Sequence, residues 1–392
     1  MEAVVDNFDN SNSEQKSVIL NIIRSITRKE RCEKYEAKIK FHPATDQGFL
    51  GTTCEVDIKR NDDSEINIFL KILNPVKTIS FIKASEIYHN ETFVYRDLAN
   101  VYQELQDEFK VPQTERYKFV KNYDCSTTVI VLDNMNKKGY KTLHRSNIPS
   151  LEFAVLAIKE LAKFHALSFA LKEKRPKYFN ENIAKINHPF VFNEDWTNFI
   201  DTFLDITKKY VNNDIKRKLD LFKEDFVEKY EKFLEEDKFK RCLCHGDYRP
   251  CNILMKEING KVTEVLPIDY QLIYYGCPVI DLIYFIFSSL DKKMRQHIPY
   301  LKDIYYKTMK EFLTYFNIDV EEIFPRKEVE FMYKERLVYG LQISLLIMPI
   351  LTMPDENITD IATLTTVKHN TDSECQERMI GIINDFIEWG YL

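Results

Sequence analysis

LCHGDYRPCNILM, residues 243–255, interrupts an apolar run at His245-Gly246-Asp247 and resumes it at Ile253. A carboxylate and, five residues on, a carboxamide share the polar segment between two apolar ones. Neither a half-buried strand nor an amphipathic helix requires that spacing. An Asx turn would account for Asp247 alone. It would not account for LPIDYQLIYYG (266–276), where Asp269 ends an apolar strand twenty-two residues after Asp247. Phosphoryl transfer needs a group that orients or deprotonates an acceptor hydroxyl, together with oxygen ligands for magnesium. On this reading Asp247 is the base or orienter, and Asn252 and Asp269 are the Mg2+ ligands. The sequence H-G-D-x4-N-I-L followed by a strand-ending Asp carries that assignment; either half alone is common by chance.

Such a loop needs a partner region that holds ATP, and residues 35–135 have the texture for it. TCEVDIKR alternates, NDDSE is a turn and INIFLKIL is rich in β-formers, so the pattern predicts a hairpin over 52–73. Helical periodicity covers 79–105, and TTVIVLDNM (127–135) reads as a buried strand. Lys71 lies inside the apolar run FLKIL, and a lysine is rarely buried without a partner. Glu91 falls on a stripe with Tyr88, Tyr95, Leu98 and Tyr102, whereas the face of the competing Glu86 is less apolar. A Lys71–Glu91 pair that holds the ATP phosphates is therefore expected. In QGFLGTTCE, Gly48 and Gly51 lie in a turn whose amides suit phosphate oxygens, with Thr52 and Thr53 beside it.

Beyond Ser150 the texture turns to long helices, broken by short strands over 242–276. The fold predicted is α+β with two lobes, a small β-rich N-lobe and a large, mostly helical C-lobe. The divisions are an N-terminal extension and entry segment at 1–34, polar and loose over about its first fifteen residues, a nucleotide-binding lobe at 35–135 and a catalytic lobe at 136–392.

The chain has 392 residues, 44% of them hydrophobic and 13% aromatic, enough for two or three packing units. A net charge of −6 argues against a dedicated nucleic-acid binder. The N-terminus lacks the pattern of a signal peptide. LQISLLIMPILTMP (341–354) is too short to span a bilayer and reads as a buried helix. Eight cysteines show no disulfide-framework spacing, so a cytoplasmic protein with reduced thiols and no membrane partner is expected. Cys242, Cys244, His245 and Cys251 suggest zinc only at first glance, because in a strand His245 points away from the two cysteines. His165 reads as a hydrogen-bonded core histidine, and Asp281 as a brace for the following helix and the loop.

These residues resemble the insect ecdysteroid kinase-like (CHK kinase-like) proteins, a group with a protein-kinase-like fold related to choline kinases and aminoglycoside phosphotransferases. ETFVYRDL (91–98) is similar to the family's helix with the lysine-pairing glutamate, and LAIKELAKFHALSFAL (156–171) to its helix before the catalytic region. VIVLDNMNKKGY (129–140) resembles its hinge, where backbone groups of Leu132, Asp133 and Met135 would meet adenine. CHGDYRPCNIL (244–254) and IDYQLIYYGCPVIDLIYFIFSS (268–289) are the most specific matches. The resemblance implies ATP- and Mg2+-dependent phosphorylation of a small-molecule hydroxyl, in an ecdysteroid or a lipophilic xenobiotic. At the position of Arg249 the family commonly has an aromatic residue. Protein kinases place a lysine there facing the transferred phosphate, so Arg249 either serves that role or points to solvent. A protein kinase itself is disfavoured, since IDYQ lacks the glycine of D-F-G and no A-P-E follows.

The acceptor surface is expected around 185–215 and 335–355, from Phe190, Phe192, Trp196, Phe199, Phe203, Leu341, Leu345 and Met348. A choline- or ethanolamine-type kinase is the alternative, with Asp195, Asp201 and Trp196 as a cation cage. A catalytically silent binding protein is the other alternative.

Overall fold

The computed structural model describes residues 2–6, 13–32, 34–42, 51–73, 80–126, 128–236, 238–353 and 373–392. Gly48 lies outside them. The first lobe is one six-stranded sheet of β1 (Glu2–Asp6), β2 (Tyr35–Phe41), β3 (Gly51–Arg60), β4 (Glu65–Leu73), β5 (Asn122–Cys125) and β6 (Val129–Asp133), in the order β1-β2-β3-β4-β6-β5. The period of two along β3 and β4 puts Cys54, Val56 and Ile58 opposite Leu70, Ile68 and Ile66 on one apolar face. Helix Ser13–Lys29 covers that face with Ile19, Ile22, Ile23 and Ile26, spaced for a single helical stripe.

Strand β1 corrects the expectation that about the first fifteen residues are loose, and the helix lies in the entry segment. Residues 2–6 pair in parallel with β2, and SVILNIIRSI supplies the stripe that the polar composition of the first fifteen or so residues obscures. The helix expected over 79–105 is also not uniform. It runs as Ala84–Phe93, a π-helical turn Val94–Leu98, and Ala99–Glu108. The wider turn frees the Tyr95 carbonyl, which accepts from the Asn122 carboxamide on β5.

The second lobe is built around helix Leu151–Lys174, started by Ser150 Oγ accepting from the Phe153 amide at 3.2 Å. It packs against Ile298–Thr314, while Arg326–Leu351 packs on Pro278–Ser289. Two small sheets lie at the cleft. One is β7 (Tyr140–Thr142), β9 (Ile253–Ile258) and β10 (Lys261–Pro267); the other is β8 (Cys242–Cys244) with β11 (Tyr274–Gly276). The structure is thus a two-lobe α+β fold. No helix among the described residues is long and apolar enough to cross a membrane.

A clasp ties the lobes together away from the β6–β7 connection. Ile82 bridges Phe190 in antiparallel fashion, the Lys83 amide donates to the Pro189 carbonyl, and the Val191 amide donates to the Phe81 carbonyl, both at 2.9 Å.

The C-terminal helix Ser373–Glu388 is fastened by a buried pair. Arg295 donates from Nε and Nη2 to Asp385 Oδ2, at 2.8 and 2.6 Å, and from Nη1 to the Leu290 carbonyl. Asp385→Ala leaves that guanidinium buried without its counter-ion. A loss of about 3–5 kcal/mol is expected, read as a lowered melting temperature and denaturant midpoint.

Candidate active site

The loop after β8 is shaped by one glycine and one carboxylate. Gly246 has φ +80°, and a Cβ there would lie 2.0 Å from the Leu272 carbonyl oxygen, so no other residue fits. Asp281, in the first turn of Pro278–Ser289, accepts from the amides of His245 at 2.5 Å and Gly246 at 2.9 Å. It also meets His165 Nε2 at 3.0 Å. An acceptor at Nε2 places the proton there, so Nδ1 accepts from the Tyr305 hydroxyl at 2.7 Å. The brace expected of Asp281 and the core role expected of His165 are both present in this network.

Among the described residues the potential metal ligands that converge are His165, Cys242 and Cys244, without the His245 and Cys251 of the sequence cluster. Both nitrogens of His165 are already engaged, and burial pushes the thiols of Cys242 and Cys244 up. A thiolate site is disfavoured on both counts. His245 turns the other way, with Nε2 against the Ile268 carbonyl at 3.0 Å.

Asp247 is buried, with three donors on its carboxylate. Tyr284 Oη donates to Oδ1 at 2.5 Å, and Asn252 Nδ2 donates to Oδ2 at 2.8 Å. Arg249 Nε lies 3.0 Å from Oδ1 and 3.2 Å from Oδ2. An ionised carboxylate offers about four lone-pair sites, so one remains for an incoming hydroxyl. Arg249 is half-buried and turned against Asp247, not to solvent. Burial opposes its charge, but the carboxylates, Asp247 foremost, hold its guanidinium above the usual range. Tyr284 escaped the sequence reading. Its signal is the spacing of three from Asp281, which puts both on the helix face that meets the loop.

Asn252 and Asp269 are brought together by the β9–β10 ladder. Ile253 pairs with Pro267, and the Ile268 amide donates to the Asn252 carbonyl at 2.9 Å, so Asp269 follows immediately. Asn252 Nδ2 is committed to the Asp247 carboxylate and carbonyl, which turns Oδ1 outward as an acceptor. Asp269 takes φ 66° and ψ 61°, a left-handed conformation that non-glycine residues seldom adopt outside functional turns. Two oxygen donors so placed fit a magnesium ion.

Lys71, on β4, points into the cleft. Its Nζ lies 2.7 Å from Glu91 Oε2, 2.8 Å from Asp269 Oδ1 and 3.3 Å from Gln271 Oε1. Burial opposes the charge of Lys71, yet Asp269 and Glu91 outweigh it and hold the amine above its usual range. Burial also works against the charge of Asp269, but Lys71 and Arg249 pull its carboxyl below the usual range. Glu91 bears the cost. Burial and the nearby Asp269 push it up to about 7 against the pull of Lys71.

The rest of the expected nucleotide site is mixed. Gly51 opens β3 opposite Leu73. Thr53 pairs with Lys71 and shares its cleft face, but Thr52 pairs with Ile72 on the opposite face, where its Oγ1 accepts from Gln15 Nε2 at 3.2 Å. Strand alternation therefore removes the Thr52 side chain from any phosphate contact. Leu132 is locked between β4 and β5. The Asp133 amide donates to the Lys121 carbonyl at 2.8 Å and its carboxylate pairs with Lys138. Met135 opens a 3-10 turn capped by the Asn134 side chain, so its amide has no partner within that turn.

Beside Asp247 lies a largely apolar pocket of about 160 Å³, where roughly 10–15 Å³ suffices for one water. Phe190, Trp196 and Phe199 line it as expected. Phe203, Leu341, Leu345 and Met348 are instead buried in the core, and Phe192 packs against Trp196 and His188 outside the pocket wall. The helix Arg326–Leu351 presents Ile343, Leu346, Ile347 and Ile350, nearly the opposite face from the expected one. Phe81 and Ile82 join them from the first lobe, with Gln271, Tyr230 and Tyr284. Asp195 is exposed and Asp201 pairs with Lys223 at 2.7 Å; neither lines the pocket.

The sequence pattern of the ecdysteroid kinase-like family matches residues 49–318, and the chain belongs to that family. Several solved structures are similar at low identity. A Plasmodium vivax ethanolamine kinase is 11% identical, with 98% of this chain and 93% of that one covered and a TM-score of 0.46. A choline kinase of Streptococcus pneumoniae is 15% identical, with 84% and 99% covered and a TM-score of 0.37. A macrolide 2'-phosphotransferase of Brachybacterium faecium is 11% identical, with 84% and 97% covered and a TM-score of 0.37. No curated protein matches the chain.

The elevated Glu91 sets a pH dependence. In the unfolded chain a glutamate titrates near ~4.3, so between there and about 7 the folded protein holds a proton at Glu91 that the unfolded chain has lost. The stability linked to that proton is fully present below the unfolded value and is lost as pH rises through the folded one. Glu91→Gln removes this component. Urea unfolding at pH 5 and at pH 8 is expected to show wild type losing stability relative to the variant on going to the higher pH; a constant difference would contradict it.

Proposed function

We propose that this member of a small-molecule kinase family is a cytoplasmic, ATP-dependent enzyme that phosphorylates a hydroxyl of an uncharged, largely apolar compound. An ecdysteroid or a lipophilic xenobiotic fits that description, and the roles that follow are hormone inactivation or detoxification. The observation that carries the reading is the position of Asp247 at the polar end of an apolar pocket, with the Lys71–Glu91 pair on the other side of Asp269.

In this mechanism the acceptor enters the apolar pocket and its hydroxyl takes the remaining lone-pair site on Asp247. Asp247 orients the oxygen in line with the γ-phosphorus and receives the proton as the new O–P bond forms and the bond to the ADP oxygen breaks. Lys71, steadied by Glu91, holds the phosphates. Met135 offers its amide to adenine. Asn252 and Asp269 would hold magnesium, which neutralises phosphate charge when bound. Arg249 contributes positive charge near the transferring group, and by pairing with Asp247 it keeps that carboxylate in place. A quaternary ammonium here would lie beside Arg249, with Asp247, the carboxylate of the wall, already paired, which favours a neutral acceptor over choline despite the aromatic rings of Trp196, Phe199 and Tyr230.

Two outcomes are expected. Mg·ATP stabilises the protein by RT ln(1 + [L]/Kd), about 2.7 kcal/mol at a hundredfold excess over Kd. The readout is a magnesium-dependent rise in melting temperature; no rise at millimolar Mg·ATP would contradict the reading. Asp247→Asn lowers turnover by roughly 10²–10⁴-fold while nucleotide binding survives. The assay is γ-phosphate transfer to ecdysteroids, phenolic and glycosidic xenobiotics, choline and ethanolamine. Selective turnover of choline would overturn the acceptor class, and nucleotide binding with no turnover of any acceptor would mark a silent binding protein.

A further inference from the structure

Gln271 stands where the ion-pair side of the cleft meets the apolar pocket. Its Oε1 accepts from Lys71 Nζ at 3.3 Å, its main-chain carbonyl accepts from Asn90 Nδ2 at 3.4 Å, and the residue is among those that line the pocket. A lysine ammonium carries donors only. The carboxamide therefore has one orientation open to it, with the carbonyl oxygen towards Lys71 and the NH2 group away. Among the described residues Nε2 has no hydrogen-bond partner. Of the charged groups on the same wall, Asp247 offers acceptor sites only, and Arg249 is engaged with it through Nε. Gln271 thus brings an oriented, unspent donor to a pocket whose remaining walls are mostly hydrocarbon.

We propose that Gln271 is a specificity-determining residue that donates from Nε2 to a second oxygen of the acceptor, near the hydroxyl received by Asp247. This rests on reading the site as a kinase for apolar alcohols, and it narrows the class. The preferred acceptor is an apolar skeleton bearing two neighbouring oxygens, of the vicinal diol or hydroxyketone type, over a mono-alcohol of the same size. A mono-alcohol that fills the pocket displaces water from Nε2 and returns nothing to it, which penalises binding. Because Lys71 sets the orientation of the amide, the same lysine that faces the nucleotide also tunes acceptor selection.

The chain has two tryptophans, Trp196 in the pocket wall and Trp389 near the C-terminus, so Trp389→Phe leaves Trp196 fluorescence as a direct report of pocket filling. The probes are a steroid mono-alcohol and the corresponding vicinal steroid diol, each titrated by fluorescence and assayed for γ-phosphate transfer with the full chain. The diol is expected to bind about tenfold more tightly or better, the scale of one buried donor left unpaired. Gln271→Leu is expected to bring that preference to roughly twofold or less, by raising KM for the diol more than KM for the mono-alcohol. Gln271→Met, with a flexible apolar side chain, should do the same, which separates lost recognition from lost folding. Equal binding of both alcohols by the wild-type pocket overturns the proposal without any variant, and so does a preference that survives both substitutions. If neither alcohol quenches Trp196 or is phosphorylated while Mg·ATP still stabilises the protein, the acceptor reading fails and this inference fails with it.

Discussion

Asp281 is a carboxylate buried where carboxylates are expensive, and it is satisfied only because three donors converge on it. Two are main-chain amides of the loop, at His245 and Gly246, and the third is His165 from the central helix of the second lobe. Removing any one would leave a buried charge short of partners, so the loop, helix Pro278–Ser289 and helix Leu151–Lys174 hold one relative position. Everything that follows His245 inherits that position. Gly246 turns against Leu272, Asp247 is delivered beneath Tyr284, and Asn252 is carried into register with Ile268.

The second organising feature is an imbalance of charge. Two cations, Lys71 and Arg249, face three carboxylates, Glu91, Asp247 and Asp269. Arg249 is occupied with Asp247, so Lys71 divides itself between the other two. Burial and the nearby Asp269 push Glu91 up, so of the two it is the carboxylate readier to take a proton. A site so arranged favours the arrival of positive charge next to Asp269 and accepts phosphate only in company with it.

Much of this was legible in the sequence, for identifiable reasons. The pairing of Lys71 with Glu91 followed from the cost of burying charge, which leaves few arrangements open. The loop was legible because H-G-D-x4-N and a strand-ending Asp do not arise together from packing alone. The failures are matters of phase. Thr52 was misplaced because alternation assigns it to the face under helix Ser13–Lys29. The pocket wall on Arg326–Leu351 was placed on the wrong side of the helix because that helix is apolar nearly all round, so periodicity does not single out a face. The N-terminal helix was hidden by a polar lead-in. Phe81 and Ile82 were invisible because they act through a contact more than a hundred residues away in the chain.

The clasp between Ile82 and Phe190 also bears on how the two lobes can separate. The first lobe is tied to the second by main-chain joints, through the chain from β6 into β7, which pairs with β9, and through the hydrogen-bonded segments 81–83 and 189–191. It is tied again across the cleft by side chains, with Lys71 on Asp269, Asn90 Nδ2 on the Ile273 carbonyl and Tyr117 Oη beside Tyr270 Oη. Two joints alone would leave one swing about the line between them, like a door on its hinges. The side-chain ties act as its latch, and the cleft opens by that swing only as they let go.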